Sequence, residues 1–229
     1  MPDVKRVKRI GYSDVYTLKS SDTTFFYQSG MEIDADGGYH AYHPDGKSGL
    51  DLLGNAGGPS NWWALVTDTG KPNGKPVIQK DADPAPGFYI STTSLEDTSC
   101  NRKDPHRYVN AERINFIVLP GGLNLGAKLG DFAVALRPAT GAYDYAVYAD
   151  VGPRQKLGEA SIALAGALGI DSNPRTGGVA HGILYFVFPG SAKQWPLSQA
   201  GIDQYGAALF AKWGGVDRAK ECFPAVNWA

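Results

Sequence analysis

Cysteine is nearly absent. The 229 residues hold two, Cys100 and Cys222, too few and too far apart to be read as a disulfide framework. A chain of this length builds a core without such staples, so the two thiols are open to pairing or to staying free. Long apolar runs are also missing. No stretch approaches the roughly 20 residues of a membrane-spanning helix, so no membrane partner is expected. The basic start, Lys5, Arg6, Lys8 and Arg9, leads into Ile10-Gly11-Tyr12-Ser13-Asp14 rather than the apolar segment of a signal peptide. An excess of one charge is missing too. Lys+Arg number 22 against 23 Asp+Glu, for a net −1, which argues against a generic nucleic-acid binder. No internal repeat, low-complexity tract or linker divides the chain, which reads as one domain over residues 1–229. His40, His43, His106 and His181 are too scattered to frame a metal site. Asp68-Thr69-Gly70 occurs once, without the second copy that an aspartic-protease dyad needs.

Glycine and proline are abundant, at 29 and 15, and both punctuate a chain into short elements and ordered loops. Aromatic and β-branched runs between them predict strands at 88–92, 116–119, 132–136, 143–148 and 183–188. Lys71-Pro72-Asn73-Gly74-Lys75-Pro76 predicts a tight turn joining strands at 63–67 and 76–79. Two helices are expected. One covers 161–168 and is ended by Gly169; the other covers 198–213, capped by Ser198 and stopped by Gly214-Gly215. The stripe Ile202, Tyr205, Leu209 and Trp213 reads as core. This spacing suits a barrel or sandwich better than alternating β/α units. The fold class expected is mainly β.

Two constellations carry candidate chemistry. In Ala146-Val147-Tyr148-Ala149-Asp150-Val151-Gly152-Pro153, an apolar strand delivers Asp150 at its end. Nine residues later Glu159 lies between Gly158 and Ala160, just before a helix. Two carboxyls so placed can face one cleft from opposite walls, as glycoside hydrolysis requires. The bland alternative is a loop Asp and a Glu at a helix N-terminus. The second stretch, Met31 to Asp51, holds Glu32, Asp34, Asp36, Asp45 and Asp51 against Lys47. Strand alternation sets Asp34 and Asp36 on one face, an acidic ladder for an ammonium-bearing substrate. A calcium loop lacks its further ligands there, and a solvated acidic edge is the remaining alternative. Of Trp62-Trp63, one ring is expected to point outward, where it can stack a sugar, while the other packs in the core.

Several segments in order resemble the fungal and bacterial chitosanases of glycoside hydrolase family 75. They are Met31-Glu32-Ile33-Asp34-Ala35-Asp36-Gly37, Gly87-Phe88-Tyr89-Ile90-Ser91-Thr92-Thr93-Ser94-Leu95, Phe116-Ile117-Val118-Leu119-Pro120, Tyr148-Ala149-Asp150 with Gly158-Glu159-Ala160-Ser161, and Tyr185-Phe186-Val187-Phe188-Pro189-Gly190-Ser191. The match spans about residues 31–191. The resemblance implies a secreted enzyme that cleaves β-1,4-linked glucosamine polymer internally, with inversion and without a cofactor; a monomer is expected. Asp150 and Glu159 would be its catalytic pair. Asp34, Asp36, Tyr39, Trp63 and His181 are the residues expected to bind substrate, and no metal is expected. Glu159, between small neighbours, is the expected acid and Asp150 the base. A strand-end Asp before a small residue and Gly, as in the lytic enzymes built on double-psi barrels, favours the reverse. By the same analogy the core is expected to be a six-stranded barrel of double-psi type. Two rivals stand beside this reading: a non-catalytic carbohydrate-binding module, and a hydrolase of the same fold acting on another amino-sugar polymer.

Overall fold

The computed structural model describes residues 3–19, 23–123 and 125–229. Its centre is a closed barrel of β3 (Phe25–Asp34), β6 (Phe116–Pro120), β7 (Phe132–Arg137), β8 (Ala142–Gly152), β9 (Glu159–Ser161) and β10 (Val179–Val187). The strands follow the order β3-β10-β7-β8-β6-β9, and β9 closes the ring by pairing back onto β3. Two of these pairs, β3 with β9 and β6 with β8, are parallel; the others are antiparallel. β1 (Val4–Ile10) and β2 (Ser13–Leu18) form a hairpin that adds to the first half of β3. A minor pair, β4 (Gly57–Gly58) and β5 (Asn61–Trp62), lies in the long excursion 35–115 between β3 and β6.

The strands read as continuous apolar runs because both of their faces are buried. Along β10, Ile183, Tyr185 and Val187 fill the barrel, whereas Leu184 and Phe186 face outward under the C-terminal helices. Inside, the rings of Tyr27 and Tyr185 stack with centroids 4.9 Å apart, and the Tyr185 hydroxyl donates to the Gly30 carbonyl at 2.8 Å. Outside, α2 (Gln199–Trp213) and α3 (Gly215–Cys222) cover Phe26 and Phe186 with Phe210, Trp213 and Phe223. Gly206 lets α2 come close, since a Cβ there would lie 2.8 Å from that of Tyr145.

The expected helices form, and the second has its expected cap. Ser161 accepts from the Leu164 amide at the start of α1 (Ile162–Ala167), and Ser198 from the Gly201 amide at the start of α2. Gly214, at φ 121°, ends α2, but Gly215 opens α3 rather than a loop. The expected strands at 63–67, 76–79 and 88–92 reduce to isolated bridges, Leu65 with Ser91, Thr67 with Pro76 and Ile78 with Tyr89. That region holds its own small apolar clusters instead of a sheet. Cys100 and Cys222 are both free. Among the described residues, no helix is long and apolar enough to cross a membrane.

Candidate active site

Three neighbouring strands set the geometry of the carboxyl pair. Val118 of β6 pairs with Asp150 of β8 on one side and with Glu159 of β9 on the other. Two interstrand spacings, about 9–10 Å, therefore separate the Asp150 and Glu159 backbones. Glu159 begins a short strand rather than lying at a loop-helix junction, and the helix follows after Ser161.

A register shift aims Asp150. Ile117 pairs with Tyr148, but the next residue, Val118, pairs with Asp150, so Ala149 is an extra residue in β8. Tyr148 points into the barrel; without the bulge Asp150 would follow it inward, since alternate residues share a face. With it, Asp150 joins Val118 and Glu159 on the outer face. The excursion 35–115 holds this bulge. The Leu95 amide donates to the Ala149 carbonyl at 2.8 Å, which supplies a partner for the extra residue. Ser94 donates to Asp150 Oδ1 from its amide at 2.8 Å and from its hydroxyl at 2.5 Å.

Asp150 and Glu159 line one open groove of about 720 Å³, together with Asp34, Asp36, Tyr42, Asp51, Trp63, Lys156 and Arg175. Trp63 is the outward ring, 60% exposed, while Trp62 packs against the cluster around Tyr42 and Leu65. Tyr39 and His181 are not on this groove. The Tyr39 ring lies against His106 and beneath the Arg113 guanidinium, and His181 lines a second hollow beyond Lys156. Residues not singled out from the sequence, Ser94, Tyr42 and Lys156, prove to be the direct partners of the acids. Ser94 and Tyr42 come from the excursion, whose path no local pattern predicts.

Asp34 and Asp36 differ from the expected exposed ladder. Asp34 is buried at 8% exposure. Asp34 Oδ1 accepts from the Asp36 amide at 2.8 Å, and Asp36 Oδ1 accepts from the Tyr42 hydroxyl at 2.6 Å. Asp34, Asp36 and Asp150 each bring a carboxylate oxygen within 4.8 Å of the others. These three are the residues that could hold a metal, since oxygen donors suit a hard cation. Carboxyls this close also resist ionising together. Burial, and then the charges of Asp150 and Glu159, push Asp34 well above the carboxylate range; burial, Asp34 and Asp150 do the same to Asp36. Burial raises Asp150, opposed by the Ser94 hydrogen bonds. Burial also raises Glu159, opposed by Lys156, whose Nζ lies 3.2 Å from Glu159 Oε2.

The raised acids make an expectation for stability. A carboxyl with a raised folded pKa stabilises fully below its ordinary value of 3.8 and loses that contribution as pH rises through the folded value. The protein should therefore melt higher in mild acid than at pH 8. Asp34→Asn keeps an acceptor for the Asp36 amide and removes the penalty of charging. It should raise Tm at pH 8 and leave Tm near pH 4 almost unchanged, as read by calorimetry across that range. A uniform drop at both pH values would contradict the account.

The chain matches no protein-family model, and no curated protein resembles it closely enough to count as a match.

Proposed function

We propose that this protein is an endo-acting, inverting glycoside hydrolase whose substrate is chitosan, as the resemblance to family 75 implies. The single observation that carries the reading is the position of Asp150 and Glu159. They flank Val118 on one face of the sheet and line the same groove. Inversion needs carboxyls about 6.5–9.5 Å apart, with room for a water between them, and backbones about two strand spacings apart suit that requirement. Burial favours the neutral form of both carboxyls, and Glu159 is the acid that protonates the leaving oxygen. Asp150 is the base, because the two Ser94 donors favour the carboxylate. Asp34 and Asp36, beside Asp150, share its proton load. Trp63 offers an exposed ring for the apolar face of a sugar.

The test is purified protein on chitosans of graded acetylation, with product anomers followed by proton NMR. Initial release of the inverted anomer supports the reading. Initial release of the retained anomer, or no cleavage, overturns it.

The acid–base assignment has its own readout. Lys156 lowers the Glu159 pKa, so Lys156→Met should raise it further. If Glu159 is the acid, activity persists to higher pH and only the alkaline limb of kcat/KM moves. A shift of the acid limb instead would exchange the two roles.

A further inference from the structure

Next to the groove lies a second hollow of about 690 Å³, bounded by the tip of the β1–β2 hairpin, β3, β10 and the loop before β9. Glu32 and Lys156 line both spaces. The Lys156 ammonium lies 2.8 Å from Glu32 Oε2 and 3.2 Å from Glu159 Oε2, so it straps one hollow from the other. Glu32 is mostly in solvent, its side chain 71% exposed, and such an ion pair opens at little cost. Opened, the two hollows would adjoin as one cleft that includes the carboxyl pair.

The linings differ in charge. The groove gathers Asp34, Asp36, Asp51, Asp150 and Glu159. In the second hollow, Glu32 is the one carboxylate among the described lining residues, and it is already paired with Lys156. The rest of its polar side-chain surface is amide and hydroxyl, from Gln28, Gln155, Ser13 and Ser29, beside the His181 ring. An ammonium entering there meets no unpaired anion. At its edge stands Tyr12, wholly exposed at the hairpin tip. The tip is seated on the Lys156 loop: Gly11 has φ 54°, and a Cβ on it would lie 2.6 Å from the Gln155 carbonyl oxygen. A tyrosine carried at the edge of this polar hollow can offer its ring for stacking on a pyranose, while the hollow offers hydrogen bonds to the sugar's hydroxyls and amide.

We propose that this second hollow is a distal subsite of the same cleft for uncharged, N-acetylated sugar units. The cleft then reads a pattern, with amine-bearing units at the carboxylates and acetylated units beyond Lys156. The inference rests on the proposed function and extends it to a hairpin outside the segments that resemble the chitosanases.

The test uses the full chain carrying Asp150→Asn, which slows cleavage at least about a hundredfold and leaves Lys156 with both partners. Fully deacetylated and partly N-acetylated glucosamine hexamers are titrated into it by calorimetry, with and without Tyr12→Ala. The expected result is a loss of about tenfold in affinity for the acetylated hexamer, the scale of one good aromatic contact. The deacetylated hexamer should lose markedly less. Gln155→Ala should repeat the pattern. Unchanged affinity for the acetylated hexamer in Tyr12→Ala overturns the subsite and leaves the proposed function standing. Equal losses on both hexamers overturn the preference for acetylated units. No binding of either hexamer by the Asp150→Asn parent overturns the subsite and the proposed function together.

Discussion

Glu159→Gln and Asp150→Asn should each slow chitosan cleavage at least about a hundredfold, the lower range for loss of a general acid or base. Both substitutions keep the shape of the side chain. The amide oxygen that Glu159→Gln leaves still accepts from Lys156, and the one that Asp150→Asn leaves still accepts from the Ser94 amide. The fold and polymer binding should therefore persist. The double variant should be little worse than either single one, because in the proposed mechanism the two groups act in one step and their losses do not add. Steady-state rates on soluble chitosan, with circular dichroism to verify folding, make the check. A variant that cleaves at the parent rate removes its residue from the mechanism.

Phe186→Ala should cost about 3–5 kcal/mol of stability, the range for truncating a buried aromatic. Phe186 is 0% exposed, and its ring meets those of Phe26, Phe210, Trp213 and Phe223 at centroid distances of 4.8–6.3 Å. It fastens the two C-terminal helices to the outer face of the barrel. Urea unfolding followed by tryptophan fluorescence should show a lower midpoint with little change in slope. A shift of less than about 1 kcal/mol would mean that those helices contribute little to holding the barrel.

Four of the six barrel strands are legible in the sequence because their aromatic and apolar runs are sharply bounded, at 116–119, 132–136, 143–148 and 183–188, whereas β9 and the first half of β3 are not. Neither is the β1–β2 hairpin. Five successive residues of β1, Lys5 to Arg9, are exposed, so its edge position erases the alternation that marks a half-buried strand. The excursion 35–115 misleads in the opposite sense, since its aromatic runs pack as loops bridged at single residues. At the site, Asp150 and Glu159 stand out through their small neighbours and their place next to regular elements. Asp34 and Asp36 also stand out, but as a surface ladder. Their burial depends on Tyr42 and on Asp150, contacts made across the sequence and therefore invisible to a local pattern. Tyr39 draws notice for its ring alone, and the chain turns that ring towards Arg113.

The extra residue in β8 makes chain length, as well as residue identity, a condition of the proposed activity. Deleting Ala149 would leave Asp150, Ser94 and Glu159 all present and the β6–β8 ladder free to run without a break. Asp150 would then keep the register of the strand before it and point among the tyrosines of the barrel interior. The carboxyl would be lost to the groove although no acidic residue had been replaced. A loss of one codon would thus be silent to any inventory of acidic side chains and decisive for the chemistry.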